Sequence, residues 1–397
     1  MAVTTLQPVQ QFLNPLVNPN ALEPLNHGKK GYEVFGFAPY WTFNKLDNVD
    51  FNTLTTFAYF GIPVESTGDL DQTDTGYATF QSQHATEIFK KAHRYGTRVV
   101  LTITQMDNAT ILAFLDNPAA QQNAINQTVQ LVHDRGIDGV NVDFEYQGDP
   151  GYAYRDQFST FIKDLTIAMH KKVPSSKVSV SVYATAAKDP KLDDIPTLAK
   201  NADDIFMMAY DFATAGSDTA MPTDPLYGYK QGKYWYDVST AVEDFLKVMP
   251  AKKLILGVPY YGYNYPVYSP QVNATTLPYW SASPLTQTYE IAENSVTEAS
   301  NSKVISGWDD VGKVSYKAYY DSYNGTWRMI FLDDARSLSY KYDFAKDKKL
   351  AGVGMWALGF DDGSSDLWAV LQQEFGTKLA DAKAQARPIK EITYAGL

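Results

Sequence analysis

Cysteine is absent from the 397-residue chain, which excludes disulfides, thiolate metal sites and thiol nucleophiles and leaves the redox compartment open. Histidine is scarce. His27, His84, His93, His133 and His170 are scattered without the paired spacing that metal ligands need, so neither a metal nor a cofactor is expected. No apolar run approaches the ~20 residues of a membrane-spanning helix, so no membrane insertion is expected. Met1 to Asn26 lacks both a basic leader and the apolar core of a secretion signal. The expected location is therefore the cytoplasm, or the cell surface or exterior after loss of a signal. Basic runs stop at pairs such as Lys29-Lys30 and Lys252-Lys253, and the formal net charge is −11, which argues against a nucleic-acid groove. A neutral substrate fits this balance better, and a monomer is expected.

What the chain does have is aromatic residues, 14% of the total including 28 Tyr, on an ordinary background of 45% hydrophobic and 20% charged residues. Residues 1–30 are rich in Pro, Asn and Gln without periodicity and read as a linker or arm. From Gly31 onward, β-branched apolar runs alternate with amphipathic stretches. The runs are Glu33 to Ala38, Leu54 to Phe60, Arg98 to Thr104, Asp138 to Glu145, Val178 to Val182, Asp204 to Tyr210, Lys253 to Pro259 and Gly352 to Trp356. Between them, Thr79 to Tyr95 and Ala119 to Arg135 carry helical periodicity and end at Gly96 and Gly136. Eight strands separated by helices predict an α/β fold, a closed (β/α)₈ TIM barrel over 31–377. The spacing fails once, because about 90 residues follow Pro259 before the last strand, far more than one helix needs. That stretch contains the alternating segments Val314 to Tyr320 and Thr326 to Leu332, so a small α+β insertion over 263–346 is expected between strands seven and eight. Residues 378–397 form a tail.

The most informative run is Asp138-Gly139-Val140-Asn141-Val142-Asp143-Phe144-Glu145. In a strand, Asn141, Asp143 and Glu145 share one face, while Val140, Val142 and Phe144 take the other. Two acids so close do not both ionise readily, so one carboxyl is expected to hold its proton toward neutral pH. An exposed amphipathic strand with solvated acids is the plain alternative. In a barrel, catalytic groups gather at the C-terminal ends of strands, which is where Glu145 falls.

This run resembles the D-G-x-D-x-D-x-E signature of the family-18 glycoside hydrolases, the chitinases and related N-acetylglucosaminidases. Further resemblances follow in chain order: Gly36-Phe37-Ala38-Pro39-Tyr40-Trp41, Met208-Ala209-Tyr210-Asp211, Leu256-Gly257-Val258-Pro259-Tyr260-Tyr261-Gly262 and Gly352-Val353-Gly354-Met355-Trp356. The resemblance implies substrate-assisted hydrolysis with retention of configuration, a property of the family and not of these residues' spacing. It implies Glu145 as acid and then base, Asp143 as the group that orients the acetamide, and Tyr210 as a hold on the acetamide oxygen. Trp356 is implied as the apolar floor beneath the reacting sugar, with Asp211, Met208, Tyr261, Trp41 and Asn141 as substrate-binding positions. Asp138 lies out of phase with the acids and, with Gly139, is expected to serve structure. Tyr210 and Met208 also have a plainer reading as barrel filling, Trp356 as core and Asp211 as a helix cap.

Two departures from the family pattern stand out. Asn141 replaces the middle Asp of the signature and cannot take a shared proton, so it is expected to donate a hydrogen bond to Asp143 and leave that acid ionised further into the acidic range. Thr102-Ile103-Thr104-Gln105 replaces the family's S-x-G-G, so a differently shaped wall near Gln105 is expected. Tyr40, Tyr59, Phe60, Tyr260 and Trp308 join Trp41 and Tyr261 as candidates for an aromatic sugar track. Asp333 and Asp334 resemble the segment that closes the insertion. The implied partner is an N-acetylglucosamine-containing glycan such as chitin. A cell-wall or spore-cortex N-acetylglucosaminidase acting on peptidoglycan and a non-catalytic chitinase-like lectin are the alternatives.

Overall fold

The computed structural model describes residues 21, 22, 25, 28–279, 281–289, 291, 292 and 304–376. Seven parallel strands lead the chain: β1 (Glu33–Pro39), β2 (Thr56–Pro63), β3 (Arg98–Gln105), β4 (Gly139–Phe144), β5 (Lys177–Tyr183), β6 (Asp204–Met208) and β7 (Leu254–Pro259). An antiparallel sheet follows, from β8 (Tyr261–Val267), β9 (Leu285–Thr288), β10 (Ile305–Asp309), β11 (Val314–Asp321) and β12 (Thr326–Leu332). The last strand, β13 (Gly352–Trp356), lies between β1 and β7 and closes the eight-stranded barrel. The expected TIM barrel is thus formed.

The two faces of β4 part as its alternation dictates. Val140, Val142 and Phe144 join the core between barrel and helices, where Phe144 lies 5.7 Å from Phe114 and 5.8 Å from Phe158, ring centre to ring centre. Asn141 and Asp143 point into the barrel. Burying such an apolar side chain contributes roughly 1.5–3 kcal/mol, and a one-residue slip would drive both polar groups into the apolar layer, so the register is strongly set. Gly139 starts the strand at φ 144°, and a Cβ there would come within 1.9 Å of the Lys177 carbonyl oxygen. Beside it, Asp138 accepts from the Val99 N–H at 2.8 Å and bonds His93 Nε2 at 2.7 Å, tying β4 to β3 and its preceding helix.

The barrel interior is divided. Phe35, Phe37, Phe60 and Phe206, from β1, β2 and β6, form an aromatic plug with ring centres 4.8–6.0 Å apart. Thr102, Thr104, Asn141, Asp143, Ser179 and Ser181, from β3, β4 and β5, make the opposite half polar and buried. Strand register puts them side by side, Thr102 beside Asn141, Thr104 beside Asp143 and Asn141 beside Ser179.

Several boundaries differ from the sequence reading. The stretch Thr79 to Tyr95 is two helices, α1 (Thr75–Phe80) and α2 (Gln83–Arg94), because the Ser82 side chain caps the second by accepting from the Ala85 N–H at 3.1 Å. The predicted helix ending at Gly136 is Pro118–Arg135, stopped by Gly136 at φ 67°. The arm assigned to 1–30 overlaps the fold: Lys29 bonds the Leu54 carbonyl at 2.6 Å and Thr97 Oγ1 at 2.9 Å. The inserted sheet begins at Tyr261 and ends at Leu332, wider at its start and shorter at its end than 263–346. The helix Ala335–Asp347 belongs to the barrel, since its Leu338, Tyr342 and Phe344 enter the main core. On the same helix, Lys341 is fully buried between Asp224 and Asp333. The 378–397 tail lies outside the described residues.

Candidate active site

A cavity of about 650 Å³ opens where the barrel strands end, and its wall includes Asp143, Glu145, Tyr183, Lys191, Tyr210 and Trp356. Glu145 lies one residue past β4, yet its N–H still donates to the Gln105 carbonyl at 2.9 Å, so its backbone stays fixed to the strand end. Burial raises its carboxyl above the usual range, the Asp211 charge adds to this, and a hydrogen bond from Tyr183 and the Lys191 charge oppose it. Asp143, 4% exposed, is pushed well above the usual range, first by burial, then by the charges of Glu145 and Asp193, with a Ser181 hydrogen bond opposing. Its Oδ1 is buried with no hydrogen-bond partner in the protein.

Both acids are therefore displaced toward the protonated form, where one had been expected. An amide at 141 spares Asp143 one like-charged neighbour, but burial still holds that carboxyl toward its protonated form. The expected bond from Asn141 to Asp143 is not formed. Asn141 is wholly buried and donates instead to Ser179 Oγ at 3.0 Å, while Ser181 Oγ donates to its carbonyl at 3.1 Å. It lies beneath the cavity and not on its wall, so it is a support for β4 and β5, not a sugar contact.

Beyond β6, Tyr210 and Asp211 reach the wall from a strand that stops at Met208, itself a wall residue. Burial keeps the Tyr210 phenol protonated far beyond its ordinary range, helped by the charges of Asp143, Glu145 and Asp211. Asp211 takes a left-handed φ of 60°. Its Oδ1 accepts from Tyr261 at 2.5 Å, Tyr263 at 2.8 Å and Thr223 at 3.2 Å, so it is no helix cap but the link between barrel and inserted sheet.

Trp356 ends β13 as an indole wedged edge-on to Phe60, centres 4.7 Å apart, and 5.6 Å from Phe37. Trp41, half exposed, stands 6.3 Å from it, and Tyr261 completes that side. The other track candidates scatter. Tyr59 donates to the Gly76 carbonyl at 2.6 Å within the helix layer, Tyr260 is buried in the core, and Tyr40 packs against that core. Trp308 stacks under the Arg336 guanidinium at 3.7 Å in the insertion. Gln105 is tied to the Val64 carbonyl at 2.7 Å, and Met106 takes the wall position in its stead.

The structure adds residues that sequence reading missed. Ser181 and Tyr183 follow the inward phase of β5, a signal present in Lys177–Tyr183 but unused. Gln147 donates to the Tyr183 hydroxyl at 2.6 Å. Lys191, Asp193 and Trp235 come from loops that no periodicity marks. Asp193 is buried with an unpartnered Oδ1, and burial, then the Glu145 charge, push its carboxyl well above the usual range. Among the described residues no group of His, Asp and Glu is arranged to hold a metal ion.

Residues 33–361 match the family model of the glycosyl hydrolases family 18. Di-N-acetylchitobiase of Rattus norvegicus is 24% identical over 372 residues, 91% of this chain and 90% of that protein. Among solved structures, the Group IV chitinase of Ostrinia furnacalis in complex with allosamidin superposes with a TM-score of 0.73 at 22% identity, covering 88% of this chain and 99% of that one. The Bacillus cereus spore cortex-lytic enzyme SleL gives 0.68 at 18%, covering 87% and 75%. With the family model spanning nearly all of the barrel, the chain belongs to the glycosyl hydrolases of family 18 and is a glycoside hydrolase.

Proposed function

We propose that the protein cleaves β-1,4-linked N-acetylglucosamine glycans of the chitin type, with retention, using the substrate's own 2-acetamido group as nucleophile. The observation that carries this reading is the pair formed by Asp143 and Glu145 at the cavity, with the unpartnered Oδ1 of Asp143 available to accept an acetamide N–H. A buried acceptor without a donor calls for an explanation, and this ligand group supplies one. The acetamide oxygen attacks the anomeric carbon as the glycosidic C–O bond breaks, and protonated Glu145 gives its proton to the departing oxygen. The resulting oxazolinium carries positive charge, which Asp143 stabilises in its carboxylate form while accepting the acetamide N–H. Water then attacks the anomeric carbon, Glu145 takes the proton, and the ring opens to a product of unchanged configuration. Tyr210, kept as a neutral donor, serves the acetamide oxygen, and Trp356 packs against the C–H face of the sugar.

Hydrolysis of a fluorogenic chitobioside, with anomeric NMR of the first-formed product, tests this. Release of β-anomer is expected. Release of α-anomer, or equal turnover of a glucoside lacking the acetamide, would refute the mechanism. Products from peptidoglycan but none from chitin oligomers would reassign the polymer while keeping the chemistry.

A further inference from the structure

We infer that Lys191 is a positioning residue for Glu145, acting through the Tyr183 ring. This rests on the assignment of Glu145 as the acid. The Lys191 ammonium lies 4.1 Å from the centre of the Tyr183 ring, on the cavity wall. The Tyr183 hydroxyl bonds Glu145 and accepts from Gln147 at 2.6 Å, so it is oriented from both sides. A cation on the face of a phenol is attracted by the ring's quadrupole and strengthens its O–H as a donor.

The placement of Lys191 is built and not incidental. Its backbone takes a left-handed φ of 45°, costly for a side chain with a Cβ. Its carbonyl accepts from Arg155 at 2.9 Å, and the same guanidinium pairs with Asp149 at 2.7 Å. The loop after β5 is thereby held to the loop after β4, which follows Glu145.

The groups facing Glu145 are otherwise acidic or neutral. Asp143 is on its own strand, Asp193 lies two residues beyond Lys191, and Tyr210 and Asp211 stand beyond β6. Among the residues lining the cavity Lys191 is the one cation. It opposes the burial that holds the proton on Glu145. Removing the ammonium therefore makes Glu145 give up its proton at higher pH, and an acid-dependent rate persists further into base.

The test is the pH dependence of kcat/KM on a fluorogenic chitobioside for K191M, K191R, Y183F and K191M/Y183F. It is paired with ¹³C-carboxyl NMR titration of Glu145, assigned with E145Q. K191M is expected to raise both the basic limb and the Glu145 titration by about 0.5–1 pH unit, and K191R to restore both. Y183F is expected to shift them upward too, with the double variant falling short of the sum. Unmoved titration and limb in a folded K191M protein would overturn the inference, and a fully additive double variant would overturn the route through Tyr183. If the wild type turns over no acetamido glycoside, the hydrolytic reading fails, and the NMR titration still decides the role of Lys191.

Discussion

Ser181 donates its hydroxyl to the side-chain carbonyl of Asn141 at 3.1 Å, so the amide in the middle of the β4 motif is engaged by β5 and not by Asp143. We predict that Asn141→Asp plants a carboxyl in a wholly buried site beside an already perturbed acid. Its folded-state pKa would be raised, so the penalty is absent below the unfolded value near 3.9 and grows as pH rises. Thermal unfolding should show a loss of about 1–3 kcal/mol at pH 8 that shrinks by pH 5. Equal losses at both pH values would contradict it.

Glu145→Gln keeps shape and hydrogen bonding but cannot exchange a proton. A drop in kcat of roughly 10²–10⁴ is expected, with an unchanged circular dichroism spectrum. Tyr210→Phe, which removes a donor without altering packing, should lower kcat by about 10–10³. A fully active Glu145→Gln protein would remove the acid from the scheme.

Asp193 is a buried acid that its surroundings push toward the neutral form. Its folded pKa exceeds the unfolded one, so its unfavourable contribution is absent in acid and develops as pH climbs above about 3.9. We predict that Asp193→Asn raises the melting temperature at pH 7–8 and leaves it nearly unchanged at pH 4, measured by scanning calorimetry. A variant less stable at pH 8 than the wild type would show that the carboxylate is satisfied there.

Asp211 links the barrel to the inserted sheet through two tyrosine hydroxyls. Asp211→Ala leaves the buried Tyr261 and Tyr263 hydroxyls without that acceptor, at a cost of about 1–3 kcal/mol for each. A raised KM for oligomers longer than the dimer is also expected, since Tyr261 forms part of the wall. If stability and KM both hold, the link is dispensable.

The barrel was legible because its signals are periodic: alternating runs such as Arg98 to Thr104 and the glycine stop at Gly136 report on local geometry that the fold keeps. The acids of β4 were legible for the same reason, since strand phase alone puts Asp143 and Asn141 on one side. What Asn141 bonds was not legible, because its partners sit on another strand and depend on barrel register. Lys191 and Asp193 were hidden because loops carry no period, and their importance arises only when two loops are brought together by Arg155. The aromatic track failed at Tyr59 and Tyr260 because those rings are on the outward phase of their strands or just past the end, where helices cover them.

The partition of the barrel interior has a consequence for how a sugar must lie. On the cavity wall Phe37, Phe60 and Trp356 offer no hydrogen bonds except at the indole edge, whereas Asp143, Glu145, Ser181 and Tyr183 face the same cavity with polar groups. A pyranose turned over would set its hydroxyls against hydrocarbon and its C–H face against carboxyls, losing on both counts. On the proposed hydrolytic reading, the asymmetry of this wall favours one orientation of the guest over its reverse.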